Sequence, residues 1–231
     1  MSFRKTSTLL CLTLLIICSL TAVLSRSQTP ESVLDEELYD PDNAEEINEI
    51  CAGCHGVHGE GGGDGTYPRL AGLSPGYIAA QLRSFKSRER LNIPMLPYST
   101  ERELPEQDVR DISIYLSKIE LYTKMPDVGD DVTAYEKLLI AKRVFNVPRV
   151  DGDVKQGETF YKKMCQQCHA KDGAGRGKNP QLAGQYTVYL RKQIGLFLDG
   201  QRLHKNIEKY MKPWTEDDWN NLFAYLSSVD D

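Results

Sequence analysis

Two short stretches of this chain, Cys51-Ala52-Gly53-Cys54-His55 and Cys165-Gln166-Gln167-Cys168-His169, carry one pattern: two cysteines three positions apart, followed at once by a histidine. On a single helical turn the two thiols share a face, and the adjacent imidazole projects from the same side. That is the donor set of covalent c-type haem attachment, in which each thiol closes a thioether to a vinyl group and the histidine gives the iron an axial nitrogen. Other chemistries also use paired cysteines. Zinc sites bring two such pairs together, but these pairs begin 114 residues apart and each has its own histidine. Redox-active Cys-x-x-Cys pairs sit in βαβ units, and no alternating strand pattern is present. Structural disulfides would leave the twice-placed histidine without a reason. The pattern implies two covalently bound haem c groups, on Cys51 and Cys54 and on Cys165 and Cys168, with His55 and His169 as iron ligands.

Aligning the two motifs exposes an internal duplication. Pro68-Arg69-Leu70-Ala71-Gly72 matches Pro180-Gln181-Leu182-Ala183-Gly184, and Tyr77, Gln81 and Phe85 match Tyr189, Gln193 and Phe197 at identical offsets. Arg90-Leu91 matches Arg202-Leu203, and Tyr115-Leu116 matches Tyr225-Leu226. The glycine-rich loop after the first motif is two residues longer than its counterpart. The chain divides into a first domain over residues 42–122, a linker over 123–152 and a second domain over 153–231. Domains this small bury little apolar surface, so a haem would form much of each core.

Both halves read as helical. Pro105 suits a first helical position, and Val109, Ile112, Leu116 and Ile119 follow as one apolar stripe. Thr215 with Asp218 resembles a capping box, and Trp219, Leu222, Leu226 and Val229 repeat the stripe. Shorter helices are expected over Tyr77 to Phe85, Tyr189 to Phe197 and, in the linker, Ala134 to Val144.

Iron in an electron carrier wants a sixth ligand that resists exchange, and a thioether raises the potential. Of the five methionines, Met1 is the start, Met164 abuts Cys165 and Met125 lies by the linker. Met95 and Met211 fall between the short helix and the last helix of each repeat, 40 residues after His55 and 42 after His169. Proline-stiffened segments hold both, Ile93-Pro94-Met95-Leu96-Pro97 and Met211-Lys212-Pro213. His58 follows His55 too closely to reach the opposite haem face. His204 competes with Met211 for the second iron, and a surface histidine is the preferred reading.

The first residues stand apart. Arg4 and Lys5 precede 16 uncharged residues, Leu9 to Leu24. That is an export pattern, just short of the about 17–25 residues that span a bilayer. Residues 1–25 are expected to be a cleaved signal peptide or an N-terminal anchor. An acidic leader over 26–41 follows, in a run that places nine carboxylates and no lysine or arginine between Glu31 and Glu49. The net charge of −5 carries no basic nucleic-acid footprint.

The order Cys-x-x-Cys-His, Pro-x-Leu-Ala-Gly, Tyr-x3-Gln-x3-Phe, Arg, Met and a terminal Tyr-Leu helix resembles the diheme c4-type cytochromes over nearly all of residues 42–230. The resemblance implies an all-α chain of two tandem class I cytochrome c domains with His/Met ligation. It implies that the carbonyls of Pro68 and Pro180 orient His55 and His169, and that Arg90 and Arg202 meet haem propionates. Where the family packs its first helix against its last, the second domain carries Gly157 and Phe160, but the first carries Asn43 and Glu46.

The expected function is a periplasmic carrier passing single electrons between redox proteins such as an oxidase, a reductase or a dehydrogenase. It is soluble or tethered to the inner membrane. An alternative is the diheme subunit of a larger dehydrogenase of the flavocytochrome sulfide dehydrogenase type. Diheme peroxidases need an open iron, and thiosulfate-oxidising haem enzymes need a further cysteine, yet the remaining two, Cys11 and Cys18, lie in the leader.

Overall fold

The computed structural model describes residues 34–204, 207, 211 and 213–229. The apolar leader over 1–25 and residues 26–33 of the leader that follows it lie outside them. The described residues form helices and no strand, apart from isolated bridges. None of these helices is long and apolar enough to cross a membrane.

Five of the eight described α-helices start where the sequence supplies a side-chain cap. Asp40 opens α1 (Pro41–His55) by accepting from the amides of Asp42 and Asn43, with Pro41 in the first turn. Ser74 opens α2 (Pro75–Lys86) in the same way. The next helix, α3 (Glu106–Lys118), begins one residue later than the proline rule suggests, because Pro105 is its cap and accepts from the Val109 amide at 3.1 Å. In the linker, Thr133 and Glu136 make a capping box for α4 (Ala134–Ala141), which stops short of the expected Val144. The second domain has α5 (Val154–Met164), the single turn α6 (Gln166–His169) that carries the haem motif, α7 (Thr187–Leu198) and α8 (Glu216–Ser228). Thr215 and Asp218 close the expected capping box of α8.

In both domains the first helix crosses the last. The apolar stripe of α3 is buried through Val109, Ile112 and Leu116, and that of α8 through Leu222 and Leu226. The crossings differ in chemistry. At Gly157 an added Cβ would lie 1.9 Å from the Asn221 carbonyl oxygen, so α5 sits against the backbone of α8. Phe160 meets the Trp214 ring at 5.1 Å beside it. In the first domain Asn43 spans the crossing with its amide, donating to Asp111 at 2.9 Å and to Asp108 at 3.2 Å. Asp111 is fully buried and also accepts from the Asp40 amide and from Arg110 Nε. A polar crossing thus replaces the glycine contact there.

The linker is long but does not reach far. Tyr122 pairs with Val144, its amide donating to the Arg143 carbonyl at 2.9 Å while Phe145 donates back to Tyr122 at 2.7 Å. Residues 123–143, with α4, are therefore a closed excursion that returns to its origin. Beyond it, Arg149 donates to the Ser227 carbonyl and the Asp153 amide to Asn221, tying the chain onto α8.

The residue after each haem-motif histidine takes a positive φ. In the first domain it is Gly56 (φ 79°, ψ 155°), but in the second it is Ala170 (φ 66°, ψ 172°), a region nearly reserved for glycine. Tyr161, fully buried, pins the strained residue by donating to the carbonyls of His169 and Ala170 at 3.0 and 2.7 Å. Ala170→Gly is expected to stabilise the second domain by about 1 kcal/mol, relieving strain worth about 1–3 kcal/mol against glycine's entropic cost of about 0.5–1 kcal/mol. Thermal melting of the haem-loaded protein checks this, and an unchanged or lower midpoint would contradict it.

Candidate haem centres and the seam between them

The two haem motifs end their helices in matching ways. His55 Nδ1 lies 2.9 Å from the Pro68 carbonyl, and His169 Nδ1 lies 2.8 Å from that of Pro180. A carbonyl only accepts, so Nδ1 carries the proton in both rings and the lone pair is left on Nε2. Burial lowers the pKa of both histidines, with the proline carbonyl opposing, so the neutral imidazole required for metal ligation prevails. The proline contact expected from the resemblance is thus present in both domains.

The loops under the histidines repeat bond for bond. Gly61 donates to the His55 carbonyl at 2.7 Å and Gly175 to that of His169 at 3.0 Å. Leu70 and Ala71 both donate to the Gly59 carbonyl, as Leu182 and Ala183 do to Gly173. Gly59 and Gly173, at φ 66° and 83°, accommodate the close pass of this segment where a side chain would meet it. All four motif cysteines are free thiols. Burial, with the neighbouring motif cysteine adding to it, pushes Cys51 up to about 11 and Cys165 up to about 12. Both remain protonated at neutral pH, which slows disulfide chemistry. Two free thiols and an imidazole with an open Nε2 on one helical turn fit a covalently attached haem c, and they do so twice.

Met95 ends a single 3-10 turn, Ile93–Met95, and is half-buried. Met211 is buried, in an apolar cluster with Tyr161, Leu222 and Phe223. The His58 amide donates to Glu60 at 2.8 Å. His204, read from sequence as a surface residue, is exposed, but its ring stands 6.3 Å from that of His169 and 11° from parallel to it.

Arg90 and Arg202 do something the sequence did not disclose. Arg90 donates to Gln81 in its own domain at 2.8 Å, and to Tyr189 and Gln193 across the seam at 2.8 and 2.9 Å. Arg202 mirrors it, donating to Gln193 at 2.7 Å and across to Gln81 at 2.7 Å and Tyr77 at 3.2 Å. Each guanidinium also lies 4.6 Å over its own domain's phenylalanine, Phe85 or Phe197. The repeated motif Tyr-x3-Gln-x3-Phe…Arg is therefore the contact surface of the two domains. Gln185 adds a second tie, accepting from the Arg69 amide and donating to the Arg69 carbonyl, both at 2.9 Å. Tyr186 fills the space over Gly61 and Gly65, with Phe145 against its other side at 5.5 Å. The signal in the sequence was polarity: Tyr and Gln recur on one helical face in both halves, where a core face would be apolar, and an Arg follows each helix four residues past its end.

Paired haem-motif helices with oriented imidazoles, in two helical domains joined by a polar seam, define a diheme c-type cytochrome. The chain belongs to the cytochrome c family, whose model matches residues 44–120 and again 154–230. It is a tandem member of the c4 type. It is 30% identical over 165 residues to "Cytochrome c4" of Stutzerimonas stutzeri, covering 66% of this chain and 70% of that protein. It is 33% identical over 153 residues to "Thiosulfate dehydrogenase electron acceptor" of Thiomonas intermedia (strain K12), covering 66% of this chain and 64% of that protein. Among solved structures, reduced recombinant cytochrome c4 from Pseudomonas stutzeri shares the fold, with a TM-score of 0.63 and 23% identity over 83% of this chain and 99% of that one.

Proposed function

We propose that this chain is a periplasmic electron carrier that takes single electrons from a dehydrogenase and yields them to a second redox protein. The observation that carries this is the twofold arrangement of a Cys-x-x-Cys-His turn with its imidazole locked on a proline carbonyl, which leaves Nε2 as a ligand. When bound, each haem would supply one-electron redox chemistry. The chain's residues hold and orient. Cys51, Cys54, Cys165 and Cys168 bind, Pro68 and Pro180 fix the tautomer, and the seam keeps the two domains in register. Met95 would give the first haem a thioether ligand, in line with a carrier that has no open site for substrate. A dehydrogenase as donor is supported by the relative named as an electron acceptor of thiosulfate dehydrogenase. The basic, apolar start of the sequence supports export, cleaved or tethered at the inner membrane, since haem is joined to such motifs outside the cytoplasm.

Alkaline pyridine treatment should count two haems per chain, and redox titration should show two one-electron steps. The ferrous protein should leave carbon monoxide unbound and should not turn over peroxide. Carbon monoxide binding with peroxide turnover would assign the chain to the haem enzymes instead. Reduction by a thiosulfate-oxidising dehydrogenase in stopped flow tests the donor class; a chain that stays ferric in that mixture while dithionite reduces it would remove that donor.

A further inference from the structure

The two repeats part company just after their shared Arg-Leu pair. Arg90-Leu91 leads to Asn92 and, five positions after Arg90, to Met95. Arg202-Leu203 leads to His204 and, five positions after Arg202, to Ile207. The register that carries a thioether in the first repeat carries a buried aliphatic side chain in the second, Ile207 being 7% exposed. An imidazole stands where the first repeat has an amide.

The structure sets that imidazole against the proximal one. The centres of the His204 and His169 rings are 6.3 Å apart, and their planes differ by 11°. His169 is anchored through Nδ1 by Pro180, so its ligating nitrogen is the other one. Phe197 steadies His204 at 4.9 Å between ring centres, and it lies in turn under the Arg202 guanidinium of the seam. A metal–imidazole bond of about 2.0 Å, plus roughly 1.2 Å from nitrogen to ring centre, puts two imidazoles sharing one ion about 6.4 Å apart. The observed separation of 6.3 Å agrees with that distance.

We infer that His204 is the sixth ligand of the second iron, opposite His169, so that the two haems are chemically unequal. The first has His55 and Met95, and the second has two imidazoles. Met211 then serves the apolar core in which it is buried with Tyr161 and Phe223. The inference rests on the diheme carrier reading and deepens it. A thioether raises a haem potential relative to a second imidazole. The second haem is therefore the lower of the pair, and an electron entering the chain settles on the first.

The test uses the ferric holoprotein and its thioether-to-iron absorption band. Met95→Ala should abolish the band entirely, and Met211→Ala should leave it at full intensity. His204→Met, which keeps six ligands, should double the band and raise the lower of the two potentials. His204→Ala should remove the low-spin bis-imidazole signal from the electron paramagnetic resonance spectrum. The inference is overturned if Met95→Ala and Met211→Ala each remove half of the band, or if His204→Met changes neither the band nor the potentials, which would make His204 a packed imidazole only. The pyridine haem count separates this from the reading beneath it. Fewer than two haems in the unaltered protein sinks the diheme carrier, whereas two haems with an unchanged His204 variant sinks only the ligand.

Discussion

Replacing Cys165 and Cys168 together by serine should yield a chain with one covalent haem instead of two, and a second domain that no longer folds. The thiols are the only covalent hold on the second haem, and the Cys165 side chain is itself part of the domain's buried core with Leu190, Leu222 and Phe223. A domain of this size has little other apolar surface to bury. The pyridine haem count should fall by half, the mass of the denatured chain should show a single haem, and far-ultraviolet dichroism should lose helix. The first domain retains Cys51, Cys54 and His55 and should keep its haem. Two haems surviving acidified organic extraction of this variant would refute covalent attachment through these residues.

The second large effect is expected at Gly157. An added methyl would be driven to 1.9 Å from the Asn221 carbonyl oxygen and 2.9 Å from the Tyr225 Cβ, both on α8. Neither can swing away as a flexible side chain would, so α5 and α8 must part. Overpacking of this kind costs about 3 kcal/mol, at the upper end of the usual range. For a chain of this length that lowers the melting midpoint by roughly 6–12 °C. A Gly157→Ala protein melting within about 1 °C of the parent would show that the helix crossing is looser than the structure describes.

Much of the fold was legible because it is written in local rules. The cysteine spacing, the capping residues Thr215 and Asp218, and the apolar stripe of Val109, Ile112 and Leu116 each depend on neighbours within a few positions. The proline carbonyls were legible only through the family resemblance, since nothing local joins Pro68 to His55. Three features stayed hidden because they are contacts between distant residues. The polar crossing of Asn43 and Asp111 spans 68 positions, and the bonds from Arg90 to Tyr189 and Gln193 span 99 and 103. The position of His204 depends on where a loop folds back over His169, which residue type alone does not determine. The linker's length says little about its reach, because the pairing of Tyr122 with Val144 cancels most of it.

The seam has a consequence for inheritance. Each of Gln81 and Gln193 accepts from both guanidiniums, so the four side chains form one interlocked unit rather than two separable pairs. A substitution in either gene half at these positions disturbs both halves at once. The two copies differ after their shared Arg-Leu pair, where Met95 and Ile207 stand in equivalent register, yet both keep the tyrosine, glutamine, phenylalanine and arginine of the seam. Parting the domains would break all of these bonds together, so the joint would hold two bound haems at one spacing for electron transfer.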